Sequence, residues 1–430
     1  MPTLHTRWLP AVSLLSMVAV ASCSSTPTST SPTSTRITTT TTEIATSSVP
    51  SATAAASTTT VVATTTTAPF VLPTAQSQAL LDQLVAAGAP GVIMAVSVHG
   101  GSPTILTSGV SDPKKKTPMK ATDVMPIASV SKTFVGALVL LLVSDGKVAL
   151  DTPISAYHVD FPKANAITVR ELLSHASGIP PLGGDKGGND PYALAWQNKL
   201  LADLQHHFTL DELIAYVRDR PLLFAPGTAT SYSNINTILL AKIVENVTGH
   251  TWTKALHDRL LTPLHLTSIF DAGNEVPKVA PVPGLFVLQG NPTVLNNADF
   301  DHMSTVSGLG PAGSLVATPA DLITWGNALL RNKTVLGPEL SDRAHTIAAG
   351  GTGLGVLGYS SSFFCMFNGC ASHTTFTGFG APGSLPGART LLLYDTATDS
   401  VLMIFANRTP TNIEYIVAPE LALIARAEKP

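Results

Sequence analysis

The spacing of hydrophobic residues predicts strands at both ends of the folded part of the chain and helices between them. After a helix at about 75–87, the runs GVIMAVSV and TILTSGV have the period of strands, and Gly100-Gly101 lies between them as the turn of a hairpin. Near the C-terminus, ARTLLLYD and SVLMIFANR predict two more strands around a turn at 396–399, and an apolar helix follows at 413–427.

Between these strands, four segments have the helical period and residues that begin or end helices: ITVRELLSHASG, FTLDELIAYVRDRP, NINTILLAKIVENVTG and ATPADLITWGNALL. In the first, Thr168 and Glu171 have the spacing of a capping box, and in the third, Gly249 follows the last periodic residue. The simplest packing pairs the terminal strands in one antiparallel sheet with flanking helices and places the helical middle in a second lobe. This is an α/β fold of the α+β type, with its functional site expected in a cleft between the lobes.

The N-terminal segment has the pattern of an export signal. Residues 1–22 contain one Arg, an apolar run at 11–21 and small residues before Cys23, which predicts a signal peptide. The sequence VASC resembles a bacterial lipobox, which implies cleavage before Cys23 and acylation of its thiol. The alternative is an ordinary signal peptide in which this Cys is incidental.

A tether and one folded domain are predicted after Cys23. Residues 23–69 are almost entirely Thr, Ser, Ala and Pro, and such a tract buries too little apolar surface to offset the entropy of ordering it. Residues 70–430 are long enough for one large domain or two intimate ones. We therefore expect a lipid-anchored protein at the bacterial cell membrane, with its domain facing the periplasm or the cell wall.

Composition excludes several classes of function. The net charge is −3 and 12% of the residues are charged, so no basic surface for nucleic acid is predicted. Beyond the N-terminal segment, no apolar run is long and uninterrupted enough to cross a membrane. Two G-x-G-x-x-G matches, at 308–313 and 353–358, join no strand to a helix in a βαβ unit, so we interpret both as turns.

The other two cysteines, Cys365 and Cys370, lie five residues apart in FFCMFNGCASH. An even number of cysteines in an exported chain favours a disulfide. A metal site with His373 as a third ligand is the alternative, but no fourth ligand with zinc-like spacing lies nearby. The sequence therefore predicts a disulfide and no metal.

The stretch ASVSKTFVGALVLLLV carries the first candidate chemistry. Ser-x-x-Lys occurs three times in the chain, but the matches at 111–114 and 144–147 contain Pro or Asp-Gly and are typical of turns. Ser129 and Lys132 instead open a helix-length apolar run, so their side chains are expected on the same helix face. The second candidate motif is Tyr232-Ser233-Asn234, which follows a Pro-Gly turn and precedes a helix.

These motifs, with ITVRELLSHASGI and AGSLVATPADL, resemble the penicillin-recognising serine hydrolases: class C β-lactamases, D-alanyl-D-alanine carboxypeptidases and β-lactamase-like esterases. The resemblance runs from about residue 74 to 427. It implies the serine β-lactamase/transpeptidase-like fold and a reaction through an acyl-enzyme that requires no cofactor.

The resemblance also assigns roles to the motif residues. Ser129 is the expected nucleophile, Lys132 and Tyr232 its base system, and Asn234 holds Lys132 and the substrate amide by hydrogen bonds. The N-terminus of the helix adds partial positive charge where an oxyanion forms. Each residue also has a structural interpretation: Lys132 as a turn cap, Tyr232 as a core tyrosine and Asn234 as a helix N-cap.

The chain departs from these families at their third motif, a Lys-Thr-Gly or His-x-Gly on a strand facing the cleft. Alignment of GSLPGARTLLLYD places Ala381-Pro382-Gly383 there. Gly383 would still let the strand lie close to a substrate, and the Ser384 N–H remains as an oxyanion donor beside that of Ser129. Loss of the cation and the hydroxyl removes hydrogen bonds to a substrate carboxylate worth roughly 1.5–3 kcal/mol each, which favours a neutral ester or amide.

Two functions are compatible with this sequence. The first is an exported serine hydrolase acting on a small-molecule or peptidoglycan-derived substrate, such as a cell-wall peptide, a β-lactam or an ester. The second is a weak or inactive homologue that binds cell-wall peptides or a protein partner in the same cleft. The joint presence of Ser129, Lys132 and Tyr232 favours the first, because a binding module has no need of all three.

Overall fold

The computed structural model describes residues 70–183, 190–203, 205–276, 278–288, 291–295, 307–348, 351–360 and 377–428. The predictions for the segments 1–22 and 23–69, for Cys23, and for the pair Cys365 and Cys370 lie outside these ranges.

Helices and strands alternate in an irregular order. The helices within the described ranges are α1 (Thr74–Ala86), α2 (Ser131–Ser144), α3 (Val169–Leu173), α4 (Pro191–Ala202), α5 (Leu210–Ala215), α6 (Asn234–Thr248), α7 (Trp252–Leu256), α8 (Pro319–Gly326), α9 (Pro338–His345) and α10 (Val417–Ala427). The strands there are β1 (Gly91–Val98), β2 (Thr104–Asp112), β3 (Thr117–Pro118), β4 (Met125–Pro126), β5 (Phe270–Asp271), β6 (Gly284–Leu288), β7 (Asn291–Leu295), β8 (Leu315–Ala317), β9 (Leu357–Ser360), β10 (Thr377–Leu385), β11 (Ala388–Asp395), β12 (Ser400–Ala406) and β13 (Arg408–Thr409).

The main sheet joins the two ends of the domain. Within the described ranges it has seven strands in the order β3-β2-β1-β12-β11-β10-β9, and β1 pairs antiparallel with β12, with Val92 opposite Ala406. This confirms the predicted antiparallel sheet built from both chain ends. Two three-stranded sheets, β13-β6-β7 and β4-β8-β5, are also present in the described part.

Helices cover both faces of the main sheet. On one face, the Ser97 hydroxyl of β1 accepts a hydrogen bond from Asn327, directly after α8, at 3.0 Å. On β2, the Ser108 hydroxyl donates to Asp82 of α1 at 2.6 Å. Ser108 pairs with Val92, which lies five residues from Ser97 on β1. Because side chains alternate between faces along a strand, α1 and α8 lie on opposite faces of the sheet.

Helix α2 lies in the core because its sequence is apolar on nearly every side. The Phe134 ring stacks on Trp325 of α8 with 3.9 Å between ring centroids. The indole N–H of Trp325 donates to the Thr133 hydroxyl at 2.9 Å, so this buried polar group has a partner. These contacts fix the first turns of α2, where Lys132 lies.

Two predicted helices are shorter than their sequence patterns indicate. The segment FTLDELIAYVRDRP is α-helical only over Leu210–Ala215, and the helix that begins after Thr168 also ends early. The capping box of Thr168 and Glu171 is confirmed, but helical structure ends at Leu173 rather than at Gly178. The reason is that His175 has a left-handed backbone with φ of 55°. No helix in the described part of the chain is long and apolar enough to cross a membrane.

Candidate active site

Ser129 lies in a 3₁₀ turn, Ala128–Val130, that leads directly into α2. Ala128 has φ of 49°, which is uncommon for a residue with a Cβ atom and is found at functional turns. The turn is held in place by Ser131, whose hydroxyl donates to the Ala128 carbonyl at 2.6 Å and accepts the Leu315 N–H at 3.2 Å. The half-buried Ser129 side chain therefore projects from a fixed backbone.

Lys132 is buried and contacts Ser129 directly. Its Nζ lies 3.0 Å from the Ser129 Oγ and donates to the Ala312 carbonyl at 2.6 Å. No ion pair to Lys132 is formed within the described ranges, and burial lowers the pKa of its amine well below the ordinary value of 10.5. This environment favours a neutral amine, which can accept a proton.

Tyr232 approaches the same oxygen from the other side. Its hydroxyl lies 2.8 Å from the Ser129 Oγ, and Lys132 Nζ lies 4.9 Å from the centre of its ring. Burial raises the pKa of Tyr232 above its ordinary value, although the hydrogen bond to Ser129 opposes the rise. Tyr232 is therefore a phenol that donates to the Ser129 Oγ.

A buried polar network that includes His175 packs against the Tyr232 ring. The His175 ring packs on the Tyr232 ring with 4.6 Å between centroids. Its Nδ1 accepts from the Asn236 amide at 3.0 Å and from the Ser233 N–H at 3.3 Å, and the Asn236 Oδ1 accepts from the Ser177 hydroxyl at 2.6 Å.

The charge state of His175 follows from this environment. Burial is the main cause that lowers the pKa of His175 to about 3, and a positive charge on Lys132 would lower it further. With Nδ1 accepting hydrogen bonds, the neutral ring carries its proton on Nε2. His175 thus positions the Tyr232 ring without adding positive charge to the site.

Asn234 does not have the contact that the sequence predicted. It is the first residue of α6, its side chain is buried, and its Oδ1 has no hydrogen-bond partner within the described part of the chain. The acceptor for Lys132 is the Ala312 carbonyl instead. Ser233, rather than Asn234, occupies the N-cap position of α6.

The strand that carries the altered third motif passes directly against the turn that holds Ser129. A Cβ atom at Gly383 would lie 2.4 Å from the Ile127 carbonyl oxygen, so this position requires glycine. Ala381 and Pro382, on the same strand, lie beside Tyr232. The structure therefore brings the third motif to the nucleophile, as the resemblance implies.

The hydrogen-bonding pattern of β10 leaves the Ser384 N–H free to face the cleft. The Thr377 carbonyl accepts the Thr396 N–H on the side of β11 at 3.1 Å, and the register continues without a bulge to Leu385. Backbone groups of successive residues point to opposite edges, so those of Pro382 and Ser384 point away from β11. Pairing with β9 ends at Gly380, so among the described residues no strand pairs with this edge of β10 beyond that point.

A narrow pocket opens beside Ser129. Its volume is about 30 Å³, and its lining includes Gly136 of α2 and Gly355 of the segment before β9, whose backbones touch. Its described lining residues are Ser129, Lys132, Gly136, Leu172, Leu173, His175, Tyr232, Thr237, Leu240, Gly355, Val356, Leu357, Ala381 and Pro382. No group of three or more His, Cys, Asp or Glu side chains in the described ranges is arranged to hold a metal ion.

Sequence reasoning missed the Ala312 carbonyl and the role of Asn236. A carbonyl oxygen is common to every residue, so no residue type reveals it. Ala312 lies within the G-x-G-x-x-G segment 308–313, which does form a turn, as interpreted, and delivers this carbonyl to Lys132. Asn236 could have been noticed as a poor helix former inside an apolar helix.

Comparison with known proteins agrees with this geometry. A family model described as Beta-lactamase matches residues 78–427. The chain is 31% identical over 224 residues to Protein flp of Staphylococcus aureus (strain NCTC 8325 / PS 47), which covers 50% of this chain and 41% of that protein. It is 25% identical over 305 residues to the Serine beta-lactamase-like protein LACTB, mitochondrial, of Mus musculus, covering 56% of this chain and 54% of that protein.

The fold is also found among solved structures. D-amino acid amidase from Ochrobactrum anthropi SV3, complexed with L-phenylalanine amide, superposes with a TM-score of 0.70 at 24% identity, over 82% of this chain and 99% of that one. The chain spans about half or less of the length of the two curated relatives. Since the family model matches most of the chain, the protein belongs to the Beta-lactamase family.

Proposed function

We propose that this protein is a serine hydrolase that cleaves a neutral ester or amide through an acyl-enzyme at Ser129. The observation that carries the proposal is that the Ser129 Oγ lies 3.0 Å from the Lys132 amine and 2.8 Å from the Tyr232 hydroxyl. A serine hydroxyl is a weak nucleophile until a base takes its proton. Here a buried amine with a lowered pKa is in contact with it.

The protons of the site can be placed consistently. A neutral Lys132 donates one N–H to the Ala312 carbonyl, and its lone pair accepts the Ser129 proton, while the Tyr232 phenol donates to the Ser129 Oγ. When Ser129 attacks a carbonyl carbon, Lys132 takes the proton. The N–H groups of Ser129 and Ser384 are the proposed donors to the oxyanion.

The substrate class follows from the third motif. Ala381 and Pro382 offer neither a cation nor a hydroxyl, so a carboxylate entering here would lose water without gaining a partner from these two residues. A neutral ester or amide avoids that loss and still reaches the nucleophile. The D-amino acid amidase named above, which shares the fold, acts on amides by its name, and this supports including amides.

A labelling experiment tests the proposal. A fluorophosphonate probe should label the wild-type protein and should not label Ser129→Ala, with circular dichroism showing that the variant is folded. No labelling by fluorophosphonate or by a fluorescent penicillin would instead support a binding protein, the alternative function.

The pH dependence tests the role of Lys132. Acylation requires its neutral form, and burial lowers the pKa of that amine, so kcat/KM for an ester should rise with pH through the lowered pKa and level off well below pH 10.5. A rise that continues to the ordinary lysine pKa would contradict the assignment of Lys132 as the base.

We also propose that the protein is exported and anchored at the bacterial cell membrane through Cys23. This rests on the VASC sequence and the Thr- and Ser-rich segment 23–69 that follows it. Cys23→Ala should leave an unprocessed precursor or release the protein from the membrane fraction. Correct processing with tight membrane retention in this variant would contradict the anchor.

A further inference from the structure

We infer that the narrow pocket beside Tyr232 is a subsite for a small, uncharged leaving group, and that the contact between Gly136 and Gly355 sets its length. This inference rests on the proposed hydrolysis at Ser129. It adds which part of the substrate enters the pocket and how large that part can be.

The lining of the pocket includes both the reacting side chains and a backbone contact between Gly136 and Gly355. Ser129, Lys132 and Gly136 follow one another at three and four residues, so they lie along one side of α2. A Cβ atom at Gly136 would lie 3.0 Å from the Gly355 Cα, and one at Gly355 would lie 3.0 Å from the Gly136 Cα. Because two backbones touch there, no side chain can move aside to lengthen the pocket.

The walls of the pocket are aliphatic or glycine apart from Ser129, Lys132, His175, Tyr232 and Thr237. The described residues that line it include no Asp, Glu or Arg. The Lys132 amine, its one strongly basic group, already contacts the Ser129 hydroxyl and the Ala312 carbonyl. A charged substituent would therefore lose its water without a partner, whereas an alkyl group would contact the buried side chains of Leu172, Leu173, Leu240 and Val356.

Proton transfer decides which part of the substrate lies here. In acylation the Ser129 Oγ forms a bond to the carbonyl carbon, and the bond from that carbon to the leaving oxygen or nitrogen breaks. The leaving atom needs a proton as its bond breaks, and the Tyr232 hydroxyl, 2.8 Å from the Ser129 Oγ, is placed to donate its own. The resulting phenolate then takes back the proton that Lys132 removed from Ser129. The leaving atom therefore lies against Tyr232, and its substituent continues into the pocket.

The volume limits that substituent. About 30 Å³ is room for one or two groups of about the size of a water molecule. A methyl or ethyl ester, or a primary amide that releases ammonia, fits without displacing the walls. We expect kcat/KM to fall at least about tenfold from ethyl to n-butyl, since each further methylene must move packed side chains.

The experiment uses phenylacetate esters that differ only in the leaving group: methyl, ethyl, n-butyl and n-hexyl. Acid release is followed in a pH-stat with the full chain, and the ratio of kcat/KM for butyl to that for methyl is the readout. Val356→Ala enlarges the pocket and should raise the ratio at least about fivefold. Ala381→Val should lower kcat/KM for the ethyl ester relative to the methyl ester.

Leu354→Ala is the matched control. Leu354 is a buried aliphatic residue in the same segment as Val356, but it is not among the lining residues of the pocket. Its truncation should leave the butyl-to-methyl ratio unchanged, which separates a general loss of packing from an enlargement of the pocket at its wall.

The outcomes distinguish failure of the leaving-group pocket from failure of the hydrolase function. Equal kcat/KM values for all four esters, with hydrolysis lost in Ser129→Ala, would overturn the leaving-group pocket and leave the hydrolase function standing. An equal change of the butyl-to-methyl ratio of kcat/KM in Val356→Ala and Leu354→Ala would also overturn the leaving-group pocket. No hydrolysis that depends on Ser129 in any ester or in phenylacetamide would overturn both.

Discussion

Glu420 offers a test of how burial controls a charge in this fold. It lies in the first turn of α10 and is fully buried against α1. Its Oε1 accepts from the Ser77 hydroxyl at 2.9 Å, and its Oε2 has no hydrogen-bond partner within the described ranges. Burial raises the pKa of Glu420 from 4.5 to about 7, although the hydrogen bond from Ser77 opposes the rise.

The sign of the pH effect follows from that raised pKa. The folded protein holds the Glu420 proton more tightly than the unfolded chain does, so this group favours folding most below pH 4.5. Its contribution is lost progressively as pH rises from 4.5 to about 7 and is constant above that. The difference between the two pKa values corresponds to about 3 kcal/mol of unfolding free energy.

The perturbation is Glu420→Gln, which removes the titration and keeps an acceptor for Ser77. Burial of the new amide N–H groups lowers the stability of the variant by an amount that does not vary with pH. The readout is therefore the difference in unfolding free energy between variant and wild type, measured as a function of pH. Urea unfolding followed by tryptophan fluorescence should show that difference moving by about 3 kcal/mol in favour of Gln between pH 4.5 and 8. Glu339→Gln, an exposed residue in the first turn of α9, is the control. A stability difference for Glu420→Gln that stays constant over this pH range would refute the reasoning.

Two further predictions concern the reaction itself. Ser129→Ala, Lys132→Ala and Tyr232→Phe should each lower kcat for ester hydrolysis by at least about 100-fold, and the triple variant should be little worse than the worst single one because these residues act as a unit. Full activity in Tyr232→Phe would contradict its role. Replacing Ala381 by His together with Pro382 by Thr should shift kcat/KM toward carboxylate substrates by one or two orders of magnitude, at roughly 1.5 kcal/mol per restored bond. Pro382→Ala alone should leave the preference unchanged, and wild-type protein that cleaves D-Ala-D-Ala peptides faster than matched neutral esters would contradict this interpretation.

Much of the fold can be predicted from local patterns in this sequence. The apolar runs at 91–98 and 400–406 predict strands because they are short and bounded by turns, and their pairing follows from both being too apolar to face water. The capping box of Thr168 and Glu171 is predictable because both partners lie within one helical turn. The end of α3 was not predictable, since His175 leaves the helix where its carbonyl accepts the Ser231 N–H, a contact 56 residues away in the chain.

Some features of the candidate site can likewise be predicted from the sequence, and others cannot. Ser129 and Lys132 can be paired from sequence because a helix fixes residues three apart on one side. The sequence does not show whether Lys132 donates to the Asn234 side chain or to the Ala312 carbonyl. That depends on where a turn distant in the chain lies against α2. Similarly, the pKa directions of Lys132 and Tyr232 depend on burial by several elements, and no local motif contains that information.

The third motif shows where packing constrains this chain and where it does not. Gly383 is required by the fold, because a Cβ atom there would meet the Ile127 carbonyl. The backbone of Pro382 points to the edge of β10 that has no strand partner there among the described residues, so its missing N–H removes no hydrogen bond from the described sheet. Ala381 is buried at the edge of the hydrophobic core and also lines the pocket. Changes at positions 381 and 382 can therefore alter the chemistry offered to a substrate without breaking the strand, which is why we attribute the departure at these two positions to substrate choice and not to loss of the fold.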